Sequence, residues 1–486
     1  MREDTALRVA GNTAAYIFGN LFSRIFDIVT IFILARYLGV LNFGKFSFAF
    51  AYVGLFFVLT DWGVNSILVR ETSRAEGRES LLFGSGISLK FGLSLLAIAV
   101  VGASLMVLRE PGDVKLLVAI VSFNLLVSFR LPSFKDVFEV PLISRLKLRL
   151  SAYAAIANRM LTFVGIILAV RFHAPLWVVT LVYSLTALPA FFLLISFSRR
   201  EAKPSFRIKL KEWKFLLKEG FPIGLSGIFF ILVFQFDMLL LSRFWTKAEI
   251  GLYSASRRMT EPLELIPTAL FFSILPIVSR LNVQDKARLA RIYSRALLMM
   301  AVAAGFLTGV LSLCAEPLII LLFGTDYRGA AGSLIVLGFY LPFIFIWHVC
   351  GSIFIALNKQ RFSSWIWFTA LLLNIILNLI FIPRYAYVGA SLARLGTGMI
   401  VAVLGMMCAR RLVGPISLGF LFKIGVLAVI PVAVLKFVLP LPAWLAVVLF
   451  CAVFGLGLFV LNVLNREELL FFSHQLWSRR RPSEHP

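Results

Sequence analysis

Residues 331–357 read AGSLIVLGFYLPFIFIWHVCGSIFIAL, a run without one aspartate, glutamate, lysine or arginine. An α-helix rises about 1.5 Å per residue, so such a run crosses the roughly 30 Å hydrocarbon core of a bilayer. Blocks of about 20 apolar residues recur along the whole chain. Hydrophobic residues make up 60% of the 486 and charged residues 15%. A soluble chain is roughly 45–50% apolar and about 25% charged. A soluble core of this length has no room for so much apolar side chain, but a bilayer does. The sequence describes an all-α integral membrane protein with about fourteen transmembrane helices.

Charged, proline and glycine breaks place spans one to six near 12–35, 44–68, 81–107, 115–138, 150–171 and 175–198. Spans seven to twelve fall near 220–242, 251–278, 291–314, 331–357, 363–382 and 386–409, with thirteen and fourteen near 418–438 and 443–464. The expected layout is an N-lobe at 1–198, a basic cytoplasmic linker at 199–219 and a C-lobe at 220–410. Spans thirteen and fourteen occupy 411–465, and a cytoplasmic tail follows at 466–486. The first apolar segment carries Arg24 and Asp27 and is long, unlike a signal peptide's apolar core, so it is expected to stay as span one.

The formal net charge of +24 admits a nucleic-acid face or basic loops beside membrane spans. No zinc-ligand spacing, RNA-binding aromatic motif or basic helix beside a soluble core occurs, so no nucleic-acid partner is expected. Placing the N-terminus in the cytoplasm puts 32 Lys and Arg on that side, 10 on the other and 6 within spans. A missed helix would scramble this alternation. Both termini are therefore expected in the cytoplasm, in a multi-pass protein of the cell (inner) membrane. Cys314, Cys350, Cys408 and Cys451 are dispersed in apolar runs without CxxC spacing, which indicates neither a zinc site nor a disulfide framework.

A short repeat links the halves. Phe26–Asp27 precedes Arg36, seven residues, then Gly44-Lys45-Phe46-Ser47; Phe236–Asp237 precedes Arg243, seven residues, then Gly251-Leu252-Tyr253-Ser254. The Arg-x7-Gly-x-aromatic-Ser pattern recurs at an offset of 207 residues. Both copies close the first span of a six-span half and open the second, which suggests two pseudo-symmetric six-helix lobes plus two C-terminal helices. Transporters commonly bind substrate between such repeats.

Charges within a bilayer cost several kcal/mol and mark cavities or ion pairs. Arg24 and Asp27, spaced i,i+3, share a helix face, and their spacing fits a cavity position or a structural pair equally. Arg257, Glu261 and Glu264 form a stripe at i, i+4 and i+7, with Arg258 beside it. Pro262 and Pro267 are expected to bend that helix and act as hinges. A cavity wall is favoured over arginines that snorkel to headgroups, because both glutamates lie deeper. Arg159 and Arg394 sit about two turns inside their spans, and Asp237 lies in span seven. Asp61 suits a helix end, Lys90 a snorkelling position, and His348 a satisfied core residue. Asn374 and Asn378 are expected to bond between helices. The deep cations Arg24, Arg159, Arg257, Arg258 and Arg394 outnumber nearby acids, which favours an anionic ligand such as a phosphate or pyrophosphate. The sequence contains no GxxxxGK[ST], HExxH or GxSxG motif, so no enzyme chemistry and no cofactor is expected.

Four stretches resemble the oligosaccharide flippases of polysaccharide biosynthesis. They are ILARYLGVLNFGKFSFAFAYVGLFFVLTDWGVNSILVRETSR at 33–74, FPIGLSGIFFILVFQFDMLLLSRFWTKAEIGLYSASRRM at 221–259, LFGTDYRGAAGSLIVLGFY at 322–340 and IPRYAYVGASLARLGTG at 382–398. The family belongs to the multidrug/oligosaccharidyl-lipid/polysaccharide exporter superfamily, which also holds drug exporters and the lipid II flippase. The resemblance implies two lobes in a V around a cationic central cavity, alternating access, and a lipid-tail groove on spans thirteen and fourteen. In the lipid II flippase a charged pair on span one and an arginine on span eight serve the cavity. The matching positions here are Arg24, Asp27 and Arg257, with the acid three residues after the arginine.

The expected activity is translocation of polyprenyl-(pyro)phosphate-linked oligosaccharide units to the outer leaflet. Arg24, Arg159, Arg257, Arg258 and Arg394 would line the cavity, while Asp27, Asp237, Glu261 and Glu264 would balance charge or couple H+ or Na+. Expected partners are the lipid-linked oligosaccharide and membrane lipid, with glycosyltransferases and a polysaccharide polymerase in the pathway, and the chain is expected to be a monomer. A multidrug/cation antiporter of the same fold and a membrane glycosyltransferase are the alternatives.

Overall fold

The computed structural model describes residues 2–73, 78–107, 109–205, 209–270, 286–357, 359–414, 418–439 and 441–463, with side chains from residue 24 onward except at 226, 360 and 437. The described residues form helices and connecting turns without a strand. Ten helical stretches among them are long and apolar enough to cross a bilayer. Two of these, Arg24–Thr72 and Arg361–Val413, run 49 and 53 residues. At about 1.5 Å per residue each is twice the length a span needs. Each therefore turns within its length. The first does so at Gly39, with φ 69°, and the second at Ala386, with φ 50°. Glycine enters this region freely, whereas an alanine there is strained. Tight packing beyond the turn accompanies the strain, since a β-carbon on Gly389 would strike the Phe381 carbonyl.

The surface of this fold is apolar, unlike that of a soluble protein, and polar side chains are buried within it. Phe422, Trp444 and Leu456 are 77%, 70% and 65% exposed, while Asn158, Thr162 and Thr180 are fully buried. Lipid accepts the apolar surface, and buried hydroxyls bond to helix carbonyls, as Thr162 does to Asn158 at 2.8 Å.

Spans four and eight are among the expected spans that are broken. Span four is divided among Gly112–Ser122, Asn124–Val127, a 3-10 turn at Phe134–Glu139 and Val140–Ser144. Pro132 cannot donate a backbone hydrogen bond and keeps Leu131 out of the helical region. The Ser128 hydroxyl accepts the N–H groups of Arg130 and Leu131 at 3.1 Å each, which stabilises the break. Span eight begins with Lys247–Thr260 and tightens into a 3-10 turn at Glu261–Glu264 around Pro262. Its expected end at 271–278 lies outside the described residues, as does the tail at 466–486.

The chain separates into two compact units. One comprises Met1–Ala255, Leu322–Tyr327 and Trp367–Ala390; the other comprises Ser256–Leu321, Arg328–Ile366 and Ser391–Pro486. In the first unit the basic stretch expected as a linker is folded onto its neighbours. Leu216 enters the core beside Leu68 and Phe83. Glu212 pairs with Arg78 at 2.9 Å, Glu219 with Arg70 at 3.1 Å, and the Ser205 N–H donates to Ser80 at 2.8 Å.

The repeat has a physical counterpart in this unit. A β-carbon on Gly44 would clash with the Lys247 carbonyl, and one on Gly251 would clash with the Val40 carbonyl. Residues 40 and 247 are themselves one repeat offset apart, so the two copies cross each other reciprocally, glycine to backbone. Small residues permit such close helix approach.

In the second unit Gly419–Ala433 and Ala443–Val460 pack on Lys286–Phe323. Gly309 leaves room for the Phe450 ring, and Ile424 lies over Gly305.

Candidate functional site

In the first unit two helices and the break in span four bring Asp27, Arg130 and Arg159 together. Asp27 Oδ1 lies 2.8 Å from Arg130 Nη2, and its other oxygen pairs with Arg159 Nη1. The broken span four carries Arg130 inward, where its guanidinium stacks 4.3 Å from the Tyr183 ring centroid. Phe46 and Phe50 each meet that ring edge-on at 5.2 Å and fix its plane. The helix bearing Arg159 is held by a 3.0 Å Thr162–Thr186 hydrogen bond, and Phe163 packs edge-on against Phe26 at 5.6 Å. Arg24, one turn before Asp27, is exposed. Two cations thus share one carboxylate, with Arg24 one turn along the same helix.

In the second unit Glu261 gathers the span-eight arginines. Its Oε1 is 2.7 Å from Arg257 Nε and its Oε2 3.4 Å from Arg258 Nη1. Arg394 is buried and lies 5.4 Å from the Tyr340 ring centroid. Gly398 makes room for that ring, since a β-carbon there would come within 2.6 Å of it. The helix that carries the stripe expected through Glu264 tightens at Glu261–Glu264. Residues advance about 120° per step in a 3-10 turn, so residues three apart eclipse and Glu264 stays on the Glu261 face. Pro262 lies inside this turn, while Pro267 lies in the helical residues after it.

Other expected residues are placed differently. Lys90 does not snorkel: it is fully buried and 2.8 Å from Asp61 Oδ1. Asp61 also accepts the Asn65 N–H at 3.3 Å, the helix-end role its position suggested. Asp237 is 2% exposed, accepts the Met238 N–H at 2.8 Å and receives the Tyr253 hydroxyl. Asn378 donates to Asn374 at 2.8 Å along one helix. Arg130, Tyr183 and Tyr340 were missed by sequence reasoning. Arg130 had a signal, a lone cation before Leu131-Pro132 inside the expected span at 115–138.

A family profile described as "Polysaccharide biosynthesis protein" matches residues 9–282. The chain belongs to the polysaccharide biosynthesis protein family. The MatE profile matches residues 222–380 of this family member. Its fold is similar to that of the lipid II flippase MurJ in an inward closed conformation, with a TM-score of 0.74 and 19% identity over 91% of this chain and 97% of that one. An inward-facing multidrug resistance MATE family transporter of the MOP superfamily follows at 0.62 and 12%, covering 80% and 94%. The MATE multidrug transporter DinF-BH aligns at 0.60 and 14%, covering 83% and 95%. No curated protein matches the sequence. This polysaccharide biosynthesis family protein shares the all-α membrane fold of these flippase and transporter structures.

Proposed function

We propose that the protein translocates a polyprenyl-(pyro)phosphate-linked oligosaccharide from the cytoplasmic to the outer leaflet by alternating access. The observation that carries this reading is the trio in which Arg130 and Arg159 share the single carboxylate of Asp27, with Arg24 one turn away. Paired guanidiniums with incomplete neutralisation suit a phosphate, which arginine engages bidentately. Arg257, Arg258 and Arg394 supply the corresponding cations in the second unit. In this reading the two lobes rock about a cationic cavity between them. Asp27, Asp237, Glu261 and Glu264 balance its charge or couple H+ or Na+. The substrate comes from glycosyltransferases and goes to a polymerase, and the chain works as a monomer with both termini in the cytoplasm.

Purified protein in vesicles loaded with a fluorescent polyprenyl-pyrophosphate oligosaccharide tests the proposal, with sugar exposure read by a lectin. Arg24→Gln/Arg257→Gln and Arg130→Gln are each expected to slow translocation at least about tenfold, roughly 1.4 kcal/mol of barrier, while remaining folded. Near-normal translocation in both variants sinks the assignment.

The MatE match over residues 222–380 favours a second reading, a drug/cation antiporter on the same fold. Gradient-driven efflux of a cationic dye from these vesicles, without sugar–lipid translocation, would establish it.

A further inference from the structure

Helices Glu79–Val107 and Leu210–Phe244 carry the Arg78–Glu212 and Arg70–Glu219 pairs toward one end of the first unit. At their opposite ends, with the C-terminal end of helix Arg2–Gly54, they line a cavity of about 570 Å³. Its wall is apolar and aromatic, formed by Phe48, Tyr52 and Leu239. Phe48 and Tyr52 are buried, and the Tyr52 hydroxyl is bonded to Ser104 Oγ at 2.8 Å, which fixes its ring.

Arg109 and Arg243 stand at the mouth, both exposed and neither paired with a carboxylate among the described residues. The acid of the lining, Glu110, is already occupied. Lys247 Nζ lies 2.5 Å from its Oε1, and the Ser242 hydroxyl donates to the same oxygen at 2.6 Å. Lys247 itself sits 4.0 Å above the Phe48 ring. The cavity therefore carries the charge of two uncompensated guanidiniums beside an apolar wall. A cation after a helix C-terminus is favoured by the helix dipole. That effect accounts for each arginine alone, but not for their convergence on one cavity.

We propose that this cavity binds the phosphate head of an amphiphile, with Arg109 and Arg243 as its ligands and the Phe48–Leu239 wall against the first carbons of its chain. Arginine presents a planar fork to phosphate oxygens. The volume lies within the range of small-molecule sites, roughly 300–1,000 Å³. The site is separate from the Asp27 trio and does not depend on which substrate that trio serves.

Native mass spectrometry of the full chain in detergent, titrated with dioleoyl phosphatidic acid, dioleoyl phosphatidylcholine or inorganic phosphate, tests the proposal. One phosphatidic acid is expected to remain bound, with affinity about tenfold weaker in Arg109→Gln/Arg243→Gln. Leu239→Trp fills the cavity while keeping both arginines, and is expected to lose the lipid as well. Phosphatidylcholine, whose phosphate is masked by choline, is expected to bind weakly, and inorganic phosphate is expected not to compete. Arg24→Gln/Arg257→Gln should bind phosphatidic acid normally, which separates this site from the transport reading. Equal retention by wild type and Leu239→Trp overturns the proposal, and so does displacement by inorganic phosphate at the lipid's own concentration. Leu239→Trp decides alone if the double arginine variant does not fold.

Discussion

Two arginines converge on Asp27, and removing different members of the trio has different physical consequences. Asp27→Asn leaves two neighbouring guanidiniums without their counter-charge, so it is expected to lower stability by about 1–3 kcal/mol, below the 3–5 of a fully buried pair. Arg130→Gln leaves the Asp27–Arg159 pair intact and is expected to cost less stability than Asp27→Asn. Thermal unfolding of both variants in detergent checks that order, and a larger loss in Arg130→Gln would contradict it. The Lys90–Asp61 pair makes a sharper case because Lys90 is fully buried. Asp61→Asn strands an ammonium in the bundle and is expected to cost about 3–5 kcal/mol. Lys90→Met leaves a carboxylate that is 22% exposed and should cost less than half as much. Near the surface, Lys45 donates to Asp113 at 2.6 Å and holds that carboxyl below the usual carboxylate range. A depressed carboxylate stabilises above its unfolded value of about 3.9 and loses that contribution as pH falls through the folded value. Asp113 is half exposed, so the effect is expected to stay under about 1 kcal/mol. It should vanish in Lys45→Met, as acid titration of unfolding would show.

At the level of helices, apolar run length located nearly every span, because bilayer thickness imposes a length that composition alone reveals. The turn at Ala386 was placed correctly between spans eleven and twelve. What the sequence did not disclose was where a helix stops being α. Pro262 warned of a break, whereas Pro132 lay inside an expected unbroken span. Neither could say that Arg130 would swing inward onto Tyr183. Such outcomes depend on partners distant in sequence. Asn374 and Asn378 illustrate the same limit, since i,i+4 spacing serves a bond along a helix as readily as one across helices. The repeat was legible as letters but not as a contact. Gly44→Ala and Gly251→Ala each drive a β-carbon into a backbone carbonyl that cannot rotate away. Each is expected to part the crossing or to cost at least about 1–3 kcal/mol. In a cysteine-free background, a cysteine at Val40 should react faster with a maleimide when Gly44 is alanine. Unchanged reactivity and unchanged stability together would argue against the packing described.

For the molecule as a whole, the fold is that of a multi-pass membrane protein, and the charge distribution sets its expected orientation. In a cysteine-free background, Lys115→Cys is expected to be labelled by an impermeant reagent from outside the cell, and Lys203→Cys only after permeabilisation. The reverse pattern would invert the topology and with it the direction of transport proposed. Substrate chemistry was legible in the sequence only as an excess of deep cations. The structure refines that excess into one carboxylate shared by two arginines in the first unit and one shared by two in the second.

The reciprocal crossing of Gly44 and Gly251 carries a consequence for motion. Glycine brings backbones close but contributes no side chain to bury, so the contact gains almost nothing from the exclusion of lipid or water. Each Cα–H···O approach is worth only about 0.5–1 kcal/mol. The two helices therefore meet closely without adhering strongly: the crossing obstructs by shape, yet thermal fluctuation or a bound ligand can part it at small cost. A leucine at either position would have replaced a latch with a weld.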